Sequence, residues 1–255
     1  ATVTRLLKLF PEHSLDPDHV IGLGAAVQAG LLDRHEALED IVMTDVSPFT
    51  LGTEIAIEIG TGNYEAGHFQ PIIERNTVIP VSRVVTNSTI NPGQKELLLQ
   101  IYQGESPHVV DNVLLGKLHV PVPQNNKKET EAFDVRFTYD VSGILEIIVT
   151  TLSDKKSKKM LIEGNPGAIP QAEIEKRFKA LEKLKIHPRE KAENTAIISR
   201  FERAFENQLG EVRERIGHNL AQFKAVLDKQ NETDITLARD GASEWLDHIE
   251  SADVF

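Results

Sequence analysis

No cysteine occurs among the 255 residues, which excludes a disulfide scaffold, thiolate metal sites and a cysteine nucleophile together and suits a reducing compartment. Positive charge is also short. With Lys+Arg 28 against Asp+Glu 39 the formal net charge is -11, which disfavours a nucleic-acid backbone or an anionic membrane as the main partner. No apolar run approaches the roughly 20 residues of a membrane span. The opening ATVTRLLKLFPEH has no apolar stretch followed by a small-residue cleavage site and reads as a short helix ended by Pro11. A cytoplasmic location is expected. The length suffices for one large domain or two modest ones, each with its own core.

Three blocks of different texture follow one another. Asp16-Pro17-Asp18 places an acid at the N-cap and a proline at the first helical position, opening the helix HVIGLGAAVQAGLL. Apolar residues cover nearly its whole circumference, so it expects close packing on more than one side. The first 40 residues contain no second layer to receive it, and this block reads as the tail of a larger domain. From about 46 to 165 the pattern alternates, in Thr53 to Ile59 and most strictly in Phe133 to Tyr139. Asp140-Val141-Ser142-Gly143 supplies a hairpin turn before Ile144 to Thr150. Short strands at this spacing, with Asn-Pro-Gly at 91–93, argue for an antiparallel sandwich. From Pro170 the period changes to three and four, through Ile174, Phe178 and Leu181, then Ile197, Phe201 and Phe205, then Ile216, Leu220 and Phe223. Those are amphipathic helices with short connections, hence a small bundle.

Catalytic constellations are poor. Gly22-Leu23-Gly24 and Gly60-Thr61-Gly62 are each part of a dinucleotide fingerprint, but neither follows a strand while opening a helix. The nine histidines are scattered without metal-ligand spacing, and no Gly-x-Ser-x-Gly elbow occurs. An independent enzyme is the weakest reading.

Five motifs in a fixed order then carry a resemblance: DPDHVIGLGAAVQAGLL, IVMTDVSPFTLGTE, IIERNTVIPVSR, IYQGE and FTYDVSGIL, spread over residues 16 to 150. In this order they resemble the seventy-kilodalton heat-shock chaperones of DnaK type, and most nearly their shorter HscC-like branch. The resemblance implies a C-terminal piece of α+β class, an antiparallel β-sandwich followed by a small helical lid and preceded by a helical remnant of the ATPase domain. Residues 1–40 would be the tail of the ATPase domain, 41–45 the interdomain linker, 46–165 the peptide-binding sandwich and 170–255 the lid. It also implies no enzyme activity and no cofactor in this chain, with ATP and Mg belonging to the full-length protein. Implied partners are unfolded or extended polypeptide, the protein's own ATPase domain and a J-domain co-chaperone, with self-association also open.

Site residues follow from the same resemblance. Leu97 would floor a pocket, with Thr53, Ile55, Leu99 and Phe133 around it, Ala56 and Ile90 arching over the bound backbone, and Asn87 and Ser88 beside them. Ile41, Val42, Met43, Thr44 and Asp45 would be the linker. The family usually has an aromatic residue at Asn87, a larger residue at Ala56 and an acid at Pro92, so the pocket's shape and the lid's latch differ here. Taken without the resemblance, each pocket position reads as ordinary sandwich core, and the competing function is an oligomer-forming structural module that ignores peptides.

Overall fold

The computed structural model describes residues 8, 16, 18–32, 45–124, 129–164 and 170–252. Two compact units divide after Thr44. In the first, helix α1 (Val20–Leu32) is opened by Asp16, whose backbone carbonyl accepts from Val20 and whose side chain accepts from the Asp18 amide at 2.9 Å. Val20, Ile21, Leu23 and Val27 on it are exposed, Ile21 at 82%.

In the second unit eight strands form two four-stranded antiparallel sheets. Strands β1 (Leu51–Gly60), β2 (Asn63–Ile73), β4 (Glu96–Gln103) and β5 (Val113–Pro121) lie in the order β2-β1-β4-β5, and β3 (Val81–Ser88), β6 (Ala132–Tyr139), β7 (Leu145–Thr151) and β8 (Ser157–Ile162) in the order β3-β6-β7-β8. Alternation decides which side chains meet between the sheets. Leu99, Ile101, Leu118 and Val120 from the first sheet pack with Val135, Phe137, Ile147 and Val149 from the second. The turns follow their residues: Gly62, in the β1–β2 hairpin, has φ +77°, and Asp140 caps the β6–β7 turn by accepting from the amides of Ser142 at 2.9 Å and Ile144 at 2.8 Å. The fingerprint-like Gly60-Thr61-Gly62 is therefore a hairpin end. Gly52 is required for a different reason, since a Cβ there would run into the backbone carbonyl of Gln70 on β2.

The C-terminal helices divide into two groups with separate cores. Helix α2 (Gln171–Ala180) seats Ile174 and Phe178 against Ile144 of the sandwich. Helices α3 (Ala192–Asn207), α4 (Gly210–Lys229) and α5 (Glu232–Ala252) bury their own stripe, in which Phe201 lies 6.3 Å from Phe223 and 6.1 Å from Trp245, ring to ring. Pro188 separates the groups by opening a short 3-10 turn. Between them Glu146 on β7, 1% exposed, is held by Lys159 of β8 and Lys185 of the connecting turn, each at 2.6 Å.

Separate cores predict separate losses. Phe201→Ala removes a ring from the bundle core and should cost about 3–5 kcal/mol there. Trp245, the sole tryptophan, reports the bundle by fluorescence. The expected outcome is an early Trp245 transition with the β circular-dichroism signal of the sandwich melting where the parent does; a common shift of both would show one cooperative unit.

Candidate functional site

Strand β1 pairs with β4 only at Leu51, Gly52 and Thr53, while β4 stays paired with β5 all the way to Glu96. Beyond Thr53 the β1–β2 hairpin parts from β4. Thr53 sits at the fork, fully buried, and its hydroxyl donates to the Gln100 carbonyl at 2.9 Å. Past the fork opens a cleft of about 490 Å³. Ile55 and Ala56 line it from β1, Leu97 and Leu99 from β4, Phe133 from β6, and Asn87, Ser88 and Ile90 from the end of β3 and the loop after it.

The expected peptide-binding residues thus line one cleft, with the exception of Thr53. Thr53 does not line the cleft; it holds the fork shut behind it. Leu99 and Phe133 are buried at 3% and 4% and serve as floor and sandwich core at once, whereas Leu97 is half-buried and Ile90 is exposed. Asn87 forms a reciprocal amide pair with Gln70 of β2: its Nδ2 donates to Gln70 Oε1 at 2.8 Å and its Oδ1 accepts from Gln70 Nε2 at 3.4 Å. That pair ties the two sheets together at the cleft mouth, and nothing in the spacing of two amides 17 residues apart announces it. Glu54 and Glu96 also line the cleft, and among the described residues no Lys or Arg does. Gln100 Nε2 donates to the Glu54 carboxylate at 2.5 Å, and His119 Nδ1 lies 3.0 Å from Glu96.

Of the expected linker, Ile41, Val42, Met43 and Thr44 lie outside the described residues. Asp45 is exposed and its carbonyl accepts from the Ile79 amide at 3.0 Å, while Val46 bridges to Val78. The stretch after it, SPFT, closes on Glu105: the Thr50 amide and hydroxyl donate to the two carboxylate oxygens at 3.0 and 2.9 Å, and the hydroxyl accepts from the Arg75 amide. Chiefly through the Thr50 amide, against an opposing effect of burial and with further help from the Thr50 hydroxyl and Arg75, the Glu105 carboxyl is held below the ordinary glutamate range.

A family model described as Hsp70 protein matches residues 1–253. A heat shock 70 kDa protein of Ajellomyces capsulatus is 29% identical over 95% of this chain and 32% of that protein. The chaperone protein DnaK of Ureaplasma parvum is 32% identical over 90% of this chain and 36% of its own length, and that of Thermosipho africanus 33% identical over 60% and 25%. The chain belongs to the Hsp70 family. It spans between 25% and 36% of the length of these relatives.

The match corrects several expectations. It runs through residues 1–253 as one family region, which overturns the expected fold class of an α+β sandwich and lid behind an ATPase remnant; the architecture stands as two antiparallel sheets and five α-helices among the described residues. The assignment of the chain to the peptide-binding portion of a chaperone is overturned on the same ground, and membership of the chaperone family is what stands. So are the expectations that the chain is no enzyme and carries no cofactor, because the match does not set it apart from a family that uses ATP and Mg. Motif order identifies a family, whereas the role of a domain rests on its sites. Among the described residues no three His, Asp or Glu side chains converge as a metal-ion site.

The lowered Glu105 carboxyl gives a pH dependence with a definite sign. The folded state favours the ionised form, so its contribution to stability is complete above the ordinary glutamate pKa and is lost as pH falls through the lowered value. Acid titration of melting temperature should therefore be shallower in Glu105→Gln than in the parent. Parallel profiles would show that Thr50 draws nothing from the carboxylate.

Proposed function

We propose that the cleft past the β1–β4 fork holds an extended, apolar segment of an unfolded polypeptide. The observation that carries this reading is the fork itself: where β1 parts from β4, Ile55, Leu97 and Ile90 are left facing an open cleft. An unfolded segment offers apolar side chains on alternate residues and unpaired backbone groups, and such a cleft beside strand ends answers both. Burying one Leu-sized side chain is worth about 1.5–3 kcal/mol, a scale suited to binding that can be released. Glu54 and Glu96, with no lining cation among the described residues, favour a segment flanked by basic rather than acidic residues.

Within this proposal the chain divides as the motifs suggest, into 1–40, a linker at 41–45, 46–165 and 170–255, and the break after Thr44, inside that linker, supports the first division. The compact bundle of α3, α4 and α5 speaks for the shorter HscC-like branch. The rest of the family's working parts, an ATPase domain, a J-domain co-chaperone and a cytoplasmic setting, belong to the same proposal. Asn87 in place of an aromatic side chain, paired to Gln70, gives the cleft a polar wall.

A fluorescent apolar heptapeptide titrated into this chain should bind saturably. Leu97→Phe fills the cleft and should abolish or strongly weaken binding with little change in melting, since the added volume faces open space rather than packed core. Ile90→Ala should raise the release rate by up to about tenfold, the equivalent of about 1.4 kcal/mol of lost cover. No saturable binding, or a Leu97→Phe variant that melts early but binds normally, would overturn the reading and leave a structural module in its place.

A further inference from the structure

The three-helix bundle is joined to the sheets by an unusual contact. Gln230, the residue after α4, has φ +54°, a left-handed conformation in which glycine is the common occupant, and its side chain is turned into the protein at 6% exposure. Its amide reads one backbone unit of β3. The Oε1 accepts from the Val84 amide at 3.1 Å and the Nε2 donates to the Val84 carbonyl at 2.7 Å. These two hydrogen bonds tie the bundle to an edge strand of the second sheet. The apolar cores do not connect them, because the bundle core and the sandwich core are separate clusters.

Val84 lies on an edge. Strand β3 has β6 on one side only, and the alternation of an antiparallel pair turns the backbone groups of Ser82, Val84 and Thr86 toward the open side. A sheet edge of this kind accepts any extended chain unless something covers it. Gln230 covers it by imitating the peptide unit of a neighbouring strand. Beside it lies a cavity of about 620 Å³ lined by Arg75, Arg83, Lys183 and Lys191 against two acids, Glu74 and Glu232. Lys191 is engaged by Glu232 and Arg75 lies 3.8 Å from Glu105, which leaves Arg83 and Lys183 as cations without a carboxylate within 4 Å among the described residues. The charge is opposite to that of the apolar cleft.

We propose that Gln230 is a strand-mimicking latch, and that when it lets go the β3 edge takes up an extended, acidic segment of another polypeptide as an added strand. Binding there is distinct from binding in the cleft, since no residue lines both the cleft and the cavity beside Gln230. The amide makes the latch reversible. It supplies two neutral hydrogen bonds, each of modest net worth, with no apolar core behind them.

Gln230→Gly tests this cleanly, because glycine suits the left-handed position and leaves the end of α4 intact. Trp245 fluorescence checks that the bundle remains folded. The Val84 amide should then exchange with solvent at least about tenfold faster than in the parent. A blocked nonapeptide of alternating valine and glutamate should gain at least about tenfold in affinity, with shifts centred on the Val84 and Thr86 amides, and its arginine counterpart should not. Gln230→Asn, whose amide is one methylene short, should behave like Gln230→Gly. Both gains should persist in a Leu97→Phe background, where the apolar cleft is filled, so that failure of the cleft reading leaves this one standing. Unchanged Val84 exchange in a folded variant overturns the latch. Faster exchange without a gain in acidic-peptide affinity, or a gain that Leu97→Phe removes, overturns the docking site.

Discussion

Three residues of pairing between β1 and β4 decide the character of this molecule. A sheet normally extends its ladder for the length of its strands, and here β4 does so with β5 while β1 leaves after Thr53. The departure is enforced from both sides of the fork. Gly52 lets β1 press against the Gln70 carbonyl of β2, so that β1 follows its hairpin partner, and the Thr53 hydroxyl pins the last shared point to Gln100. Side chains that would otherwise complete a closed sandwich are left around an open cleft. Its floor can be rigid because Leu99 and Phe133 belong to the core as well. The mouth is fixed by a polar device, the Gln70–Asn87 amide pair across the two sheets.

The same division of labour governs the joints between the layers. Apolar clusters hold each body together, and polar groups connect one body to the next. Helix α2 is the exception, seated by Ile174 and Phe178. After it the chain is fastened by Lys185 to the buried Glu146 and by Gln230 to Val84. A carboxylate buried between two lysines adds little net stability, because desolvation offsets most of the attraction, yet removing one partner strands a charge. Such contacts specify a position without making it permanent. Apolar burial stabilises in proportion to area and is hard to undo in part, so polar joints between apolar bodies allow one body to move while both stay folded.

Much of this was legible in the residues. The alternation at 53–59 and 133–139 announced strands, the three-and-four spacing through Phe178, Phe201 and Phe223 announced helices, and Asp140-Val141-Ser142-Gly143 announced its turn, because period and turn chemistry are local properties of the chain. Motif order was enough for the family. It was not enough for the part the chain plays in it, and the fold class, function and cofactor expectations drawn from the same motifs went beyond what order can carry.

Other features were decided only by the fold. Thr53 has the composition and spacing of a cleft residue, but one hydrogen bond to a strand 47 positions away makes it the hinge of the fork. Asn87 and Gln70 look like exposed strand polars until the two sheets face each other. Gln230 stands 146 residues from Val84, and no local pattern marks a glutamine that will complete a sheet edge. Helices, strands and turns are written in neighbouring residues, whose energies depend on spacing along the chain. Which polar groups become partners depends on where the strands part and which edges are left bare, and only the packed structure settles that.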